Sequence, residues 1–429
     1  MQNLMKGMVI DMKGNKRNCM KYMESGPLVL LEGYRFISNH GRKYKTDVFE
    51  TRFMGKKTIC IRGPEAAKIF YDDRRFKREG AAPKRIQKTL TGENGVQGLD
   101  GAEHSNRKMM FISIMEPANI ELLKKLMLKQ WEISSRRWEN KDRIVLFDEL
   151  QEMLCKVACK WAGVPLRKSE VKFRADDLGK MVDAFGAIGP RHWQGRCARK
   201  RTERWIEDII EKIRAYQISP RIGSAAYNIA WHYNLNGEML SKQIAAVELI
   251  NILRPIVAIA TYIIFGAVAM YENPECRRKL QFGDERYLDM FVQEVRRFYP
   301  FTPFVGAKVK KSFHWKNHYF PKGSLVMLDV YGIDHDPRIW DWPNEFYPER
   351  FFTWEENLYE LIPQGGGEAS KGHRCAGEMV TIAVMKDSFL YLAKNIEYKI
   401  PKQNLTYSLR RIPTLPKSKF IIRNVRLIN

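Results

Sequence analysis

The sequence predicts a mainly α protein with a small β part, built as a single large domain. Three features predict it. Helical periodicity runs from Pro64 to about Lys279, apolar–polar alternation is confined to short stretches, and no repeat, low-complexity tract or Gly/Ser linker interrupts the chain. Of 429 residues 45% are hydrophobic, which excludes a disordered chain and allows a large core without disulfides.

The elements follow in order. Thr46–Met54 and Thr58–Arg62 alternate around a Gly-Lys-Lys turn and predict a hairpin. Glu121–Trp138, Leu146–Gly163, Lys200–Tyr216 and Ser241–Tyr271 repeat apolar residues at helical spacing, and Asp289–Phe298 is a further helix stopped by Pro300. Lys308–Lys316 and Tyr319–Val330 predict strands around a Lys-Asn turn. A Gly-rich loop at 365–367 leads to a last long helix, Ala376 to Asn395, and short strands are expected from Tyr398 to Val425. Leu249–Met270 is long enough to span a membrane, but Arg254 and Pro255 interrupt it near one end. A helix apolar on all sides is otherwise the central helix of a large protein, so no transmembrane segment is expected.

The 73 Lys and Arg against 49 Asp and Glu give a net charge of +24, clustered at Arg74–Arg78, Arg191–Arg204 and Lys308–Lys311. None of these clusters sits in a nucleic-acid motif or carries regularly interleaved aromatics, so the charge is read as solubility and steering of acidic ligands, with no nucleic-acid partner. The seven cysteines are odd in number and scattered, without a CxxC pair, and Met1–Lys16 is too polar for a signal peptide; a reducing, cytoplasmic setting follows. Cys155 and Cys159, one helical turn apart, are expected to pack in a core. His314 and His318 flank the Lys-Asn turn and are read as surface residues rather than metal ligands.

Cys375 differs from the other cysteines. The run Gln364-Gly-Gly-Gly-Glu-Ala-Ser-Lys-Gly-His-Arg-Cys375-Ala-Gly-Glu passes from a flexible loop into an apolar-periodic helix. Backbone N–H groups at a helix start favour a thiolate, and a thiolate held in such a loop can ligate iron. Upstream, Glu294-Val-Arg-Arg297 sets a carboxylate and a guanidinium three residues apart on one helix face, and Phe346-Tyr-Pro-Glu-Arg350-Phe supplies a second arginine.

ExxR, PERF and a cysteine loop in this order and spacing resemble the cytochrome P-450 family. The resemblance covers essentially the whole chain and implies that family's fold around a buried haem b. Residues 27–63 would form a β-containing N-terminal part and 64–300 the helical body. A β hairpin and the haem-binding loop would occupy 301–377, and the C-terminal helix and strands 378–429. It makes Cys375 the axial ligand of the haem iron, and Glu294, Arg297 and Arg350 a structural ion-pair network. It also makes His104 and Lys108 partners of the haem propionates, with Arg374 joining them.

The central helix departs from the usual monooxygenases of the family, which carry an acid–alcohol pair there; this chain has Arg254-Pro255. Burying Arg254 unpaired is very costly, so it needs an anion, either a protein carboxylate or a ligand. Pro255 removes the N–H that would bond the Asn251 carbonyl. The Arg-Pro pair with the Cys375 loop resembles the bacterial fatty-acid peroxygenase branch. That implies hydrogen peroxide as oxidant, no obligatory reductase, a long-chain fatty acid as partner, Arg254, Pro255 and Gln97 as catalytic residues, and Arg254, Gln97 and Thr91 as substrate-binding residues, with Arg254 taking the carboxylate. Hydroxylation is then expected at the α or β carbon. Gln97 stands where decarboxylating members carry His and, being unable to donate a proton as imidazolium can, points to hydroxylation over terminal-alkene formation. Thr91 stands where relatives often have Phe and would shape the substrate pocket. A reductase-dependent fatty-acid monooxygenase, a decarboxylase, and a non-catalytic haem or lipid-binding protein are the alternatives.

Overall fold

A computed structural model describes residues 24–428; Met1–Lys16 and Cys19 lie outside them. Helices make up most of the chain between Gly101 and Phe298. The strands are β1 (Val48–Phe53), β2 (Lys56–Ile61), β3 (Phe76–Lys77), β4 (Ile144–Val145), β5 (Phe304–Val309), β6 (Phe313–Trp315), β7 (His318–Phe320), β8 (Leu325–Asp329), β9 (Ile396–Lys399) and β10 (Ile421–Leu427). They form a five-stranded sheet in the order β1-β2-β8-β5-β3, a three-stranded sheet β4-β10-β9, and the ribbon β6-β7. Only the β2–β8 pairing is parallel, and it carries the chain's two distant β regions into one sheet.

Most predicted elements are present with shifted ends. The first hairpin turns at Met54-Gly55, both at positive φ, so Lys56 and Lys57 belong to β2 rather than to the turn. The Lys316-Asn317 turn is where the sequence placed it, also at positive φ. Each of its two flanking stretches is broken, however, giving β5 and β6 before the turn and β7 and β8 after it. The range read as β-containing at its N-terminal end opens with helices, among them Phe36–Lys43. The helix predicted over Lys200–Tyr216 begins ten residues earlier, at Pro190, where Gly189 at φ 66 and a proline in the first turn start it. Its first turns are polar and basic, which hides them from hydrophobic periodicity.

The central apolar stretch is two helices, Lys242–Ala258 and Ala260–Glu272, not one. Pro255 is the cause. It cannot donate to the Asn251 carbonyl, and one turn later Ile259 bonds to Ile256, three residues back, at 3.2 Å. This stretch is long and apolar enough to cross a membrane, yet nearly all of it is buried among the other helices. Around it lie Leu146–Ala162, which holds the buried Cys155 and Cys159, and Glu378–Leu390, which follows the Cys375 loop.

Gly266 shows how closely these helices meet: a Cβ there would lie 2.1 Å from Cε1 of the fully buried Phe389. Alanine would gain about 1 kcal/mol of helix propensity, but forcing a methyl into a rigid aromatic ring costs about 1–3 kcal/mol. Gly266→Ala is therefore expected to lower stability, measured as a reduced midpoint in urea with an unchanged slope; a raised midpoint would refute this packing.

Candidate active site

Two networks of long-range contacts build the site, one behind Cys375 and one beneath Arg254. The first begins at the helix Glu285–Phe298, capped by Asp284, whose side chain accepts from the Arg286 and Tyr287 N–H groups. Glu294 and Arg297 are both buried and form a two-point pair at 2.7 and 2.8 Å. Arg350 Nε lies 3.1 Å from Glu294 Oε2, and the Tyr347 N–H donates to Glu294 Oε1 at 2.8 Å. Arg297 also donates to the carbonyls of Asp334, Pro343 and Glu345. The predicted triad is thus assembled as an ion-pair cluster that pins the 334–350 segment to the helix.

Arg296, between Glu294 and Arg297 in sequence, was missed. It is 2% exposed, pairs with Glu378 and donates to Gln364 Oε1 at 3.2 Å, gripping both ends of the cysteine loop. Its signal was the first arginine of the Glu-Val-Arg-Arg run. Within that loop the Cys375 N–H donates to the Gln364 carbonyl at 3.0 Å. Burial pushes the Cys375 thiol up, while the Gly377 N–H and the charges of Lys108 and Arg296 pull the other way. The Cys375 side chain is accessible, unlike those of the buried Cys155 and Cys159.

Lys108 is buried beside it and donates to the Arg374 carbonyl. His104 lies against His373 with ring centroids 4.1 Å apart; burial, then the neighbouring charges, bring its pKa down to about 4. Although burial works against it, hydrogen bonds from His373 and from the Arg78 and Glu79 N–H groups hold the Asp100 carboxyl down at about 2. His104 and Lys108 are thus brought to Cys375. Arg374 is adjacent but committed elsewhere: its Nε donates to Glu378 at 2.6 Å and its Nη2 to Glu356 at 3.1 Å. Its guanidinium thus ties the cysteine loop to the helix that follows it and to the segment before it.

The second network lies under the 87–97 loop. Arg254 is 7% exposed. Its Nη1 donates to the Leu90 carbonyl at 2.6 Å and its Nη2 reaches Asn251 Oδ1 at 3.4 Å. Among the described residues no carboxylate pairs with it, so the protein does not supply the anion that this charge needs. Burial, then the like charge of Arg199, pull its pKa down to about 9, still cationic at neutral pH, and the Cys375 thiolate is close enough to favour the charged form. Arg254 and Cys375 thus lie within electrostatic reach of each other.

Asn251 Nδ2 approaches the Thr91 carbonyl at 3.0 Å, Gln97 Oε1 at 3.2 Å and Glu248 Oε2 at 3.1 Å. Glu248 is fully buried, accepts from Arg107 at 2.6 Å and from the Val96 N–H at 2.8 Å, and so fixes the loop to the helix. Gly92, at φ 83, lets the loop press close: a Cβ there would lie 2.3 Å from Arg199 Nη2. Gln97 and Thr91 are thus placed beside Arg254, Thr91 through its carbonyl and Gln97 through its amide oxygen. Asn251, Glu248 and Arg107 carry no sequence signal of this role.

His314 and His318 project from opposite faces of β6-β7, since His314 pairs with Tyr319 and Trp315 with His318. Among the described residues no group of three or more His, Cys, Asp or Glu is placed to hold a metal ion.

A sequence profile described as Cytochrome P450 matches residues 278–415. A structure of a cytochrome P450SP alpha variant superimposes with TM-score 0.92 at 46% identity, covering 94% of this chain and 99% of that one. The chain belongs to the cytochrome P450 family. Cytochrome P450EX alpha, solved with myristic acid, matches at 41% identity and TM-score 0.92, covering 95% of this chain and 99% of that one. A variant of cytochrome P450 OleT in complex with arachidonic acid matches at 37% and 0.92, covering 96% and 99%. Among curated relatives, Cytochrome P450 3A5 of Homo sapiens is 28% identical over 235 residues, 54% of this chain but only 41% of that protein.

P450 proteins hold haem b, and the donor set here fits it. The accessible Cys375 thiol has a buried lysine and a buried histidine, Lys108 and His104, alongside to meet carboxylates. Removing Arg296 would free both ends of that loop and leave Glu378 with Arg374 alone. Arg296→Ala is expected to cost about 3–5 kcal/mol, the range for breaking a buried pair. Urea unfolding would register the loss of stability, and a lower haem-to-protein ratio would register the loosened loop; an unchanged ratio would mean that Arg296 does not hold the loop.

Proposed function

We propose that the protein is a haem-thiolate peroxygenase that uses hydrogen peroxide to hydroxylate long-chain fatty acids at the α or β carbon. The observation that carries this reading is Arg254, a buried guanidinium that, among the described residues, has no protein carboxylate and lies within electrostatic reach of Cys375. A fatty-acid carboxylate is the anion that completes it by a two-point contact, and the acyl carbons next to the carboxylate are then held nearest the thiol's side of the site. The relatives solved with myristic and arachidonic acid support the same substrate class.

Haem bound through Cys375 Sγ would supply cleavage of the peroxide O–O bond and oxidation of the C–H bond, one oxygen entering the product and the other leaving as water. The chain's own residues do the rest. Arg254 orients the acid and keeps its carboxylate ionised, so that the carboxylate can take and return the peroxide proton in place of the missing acid–alcohol pair. Pro255 opens the helix beside it. Asn251 fixes Gln97 by its carbonyl oxygen, which turns the Gln97 NH2 outward as a hydrogen-bond donor that cannot protonate a substrate, and hydroxylation is favoured over alkene formation. Thr91 lines the acyl path with a small side chain. No reductase is required. Free thiols at all six described cysteines support a reducing, cytoplasmic location.

Purified haem-loaded protein with myristic acid and hydrogen peroxide, without reductase, should yield an α- or β-hydroxy acid by mass spectrometry. A terminal alkene would contradict the role given to Gln97, and product only with NADPH and redox partners would replace the reading with a monooxygenase. Arg254→Ala should lower kcat/KM for the free acid by about 30-fold or more, the scale of removing one partner of a buried charge pair. Full activity in that variant would exclude Arg254 as the carboxylate anchor.

A further inference from the structure

A second arginine, besides Arg254, holds the loop at 87–97. Arg199, on the helix Pro190–Arg214, is 1% exposed. Its Nη1 donates to the Leu90 carbonyl at 3.0 Å, and Arg254 Nη1 donates to that same oxygen at 2.6 Å. A carbonyl oxygen has two lone pairs, and these two donors use both. One uncharged acceptor thus ties together the loop, the helix Pro190–Arg214 and the helix Lys242–Ala258, with two full positive charges meeting at it.

The protein answers Arg199 only in part. Its Nε donates to Glu203 Oε1 at 2.6 Å, one turn further along the helix and closer to solvent, the Glu203 side chain being 23% exposed. Its Nη2 is buried and, among the described residues, has no hydrogen-bond partner; it packs on Gly92, which has no side chain to displace it. Glu248, the other carboxylate of this region, is already bound by Arg107. Arg107, Arg199 and Arg254 therefore stand against Glu203 and Glu248, and Arg254 is the cation left over.

The hydrogen bond to Leu90 does not account for an arginine at 199. A glutamine amide could donate to the same carbonyl without a second buried charge, which costs several kcal/mol to bring in from water. Here that charge also lies close enough to Arg254 for the two to repel. Both costs are offset when an anion comes within range of the two guanidinium groups, because a charge pair interacts strongly where water is excluded.

We propose that Arg199 is a positioning residue that sets the site's preference for anionic substrates: it fixes the Leu90 carbonyl against Arg254 and adds a second positive charge, so that a carboxylate is favoured over an uncharged head group on the same acyl chain. This rests on the fatty-acid reading of Arg254. Arginine suits the task because its planar fork reaches Glu203 on one side and the loop on the other.

The test is equilibrium dialysis of haem-loaded protein at neutral pH with dodecanoic acid and, separately, with 1-dodecanol. The unaltered protein should bind the acid about tenfold more tightly than the alcohol, or better. Arg199→Met, similar in length but uncharged, should weaken the acid about tenfold and the alcohol less than about twofold. Arg199→Lys, which keeps the charge, should return the acid to within about threefold. Glu203→Gln, which leaves Arg199 charged and unbalanced, should raise the acid-over-alcohol preference about twofold or more. Equal loss of acid and alcohol in Arg199→Met would make Arg199 a packing residue only. That result, no loss of the acid, no rescue by lysine, or no rise in Glu203→Gln overturns the proposal. Haem content checks the fold of each variant, and Glu203→Gln, which removes only a part-exposed partner, decides the matter if Arg199→Met does not fold. Acid preference lost in Arg254→Ala but kept in Arg199→Met refutes the role of Arg199 alone. An unaltered protein without acid preference, or its survival in Arg254→Ala, overturns the carboxylate anchor and this proposal with it.

Discussion

Arg254 carries its charge into the interior on a helix whose other buried side chains are mostly apolar, and the surrounding structure answers to that placement. A full charge moved from water to a protein interior costs several kcal/mol even after relaxation, and hydrogen bonds to one carbonyl and one amide do not offset it. The loop at 87–97 is laid on the helix so that the Leu90 carbonyl meets the guanidinium, and Glu248 and Arg107 balance each other alongside without neutralising it. The protein leaves the remaining deficit unmet. Pro255 adds to the irregularity of this helix, since it cannot donate to the Asn251 carbonyl.

Behind the cysteine loop the logic is reversed, since every charge is paired. Arg297 divides its donors between Glu294 and three backbone carbonyls, while Arg296 and Arg374 share Glu378. Such a cluster adds little net stability compared with an apolar core, but it fixes geometry sharply. Rigidity on the ligand side and an unbalanced charge on the substrate side together make one face of the site constant and the other responsive to what binds.

Much of this was legible in the sequence where local chemistry is conspicuous. Cys375 stood out because glycines and a helix start surround it, Glu294 and Arg297 because three residues make one helix face, and Arg254 because a charge interrupts an apolar run. Asn251, Glu248 and Arg107 were not legible, as their roles depend on contacts across as many as 160 residues, which no local pattern encodes. The start of Pro190–Arg214 was hidden for a different reason: its basic first turns face solvent and leave no apolar period to read. The ion pair of Arg374 with Glu356, 18 residues before it, was likewise not legible, because the two become neighbours only in the folded chain.

The Asn251 amide also has an arithmetic consequence. Its nitrogen carries two hydrogens but has three acceptors in range, the Thr91 carbonyl, Gln97 Oε1 and Glu248 Oε2, at 3.0, 3.2 and 3.1 Å. One of the three is always without a hydrogen from this donor. Asn251 therefore divides one donor group between its own helix and the loop, and the Val96 N–H bond to Glu248 holds residues 91–97 to that helix independently of the sharing.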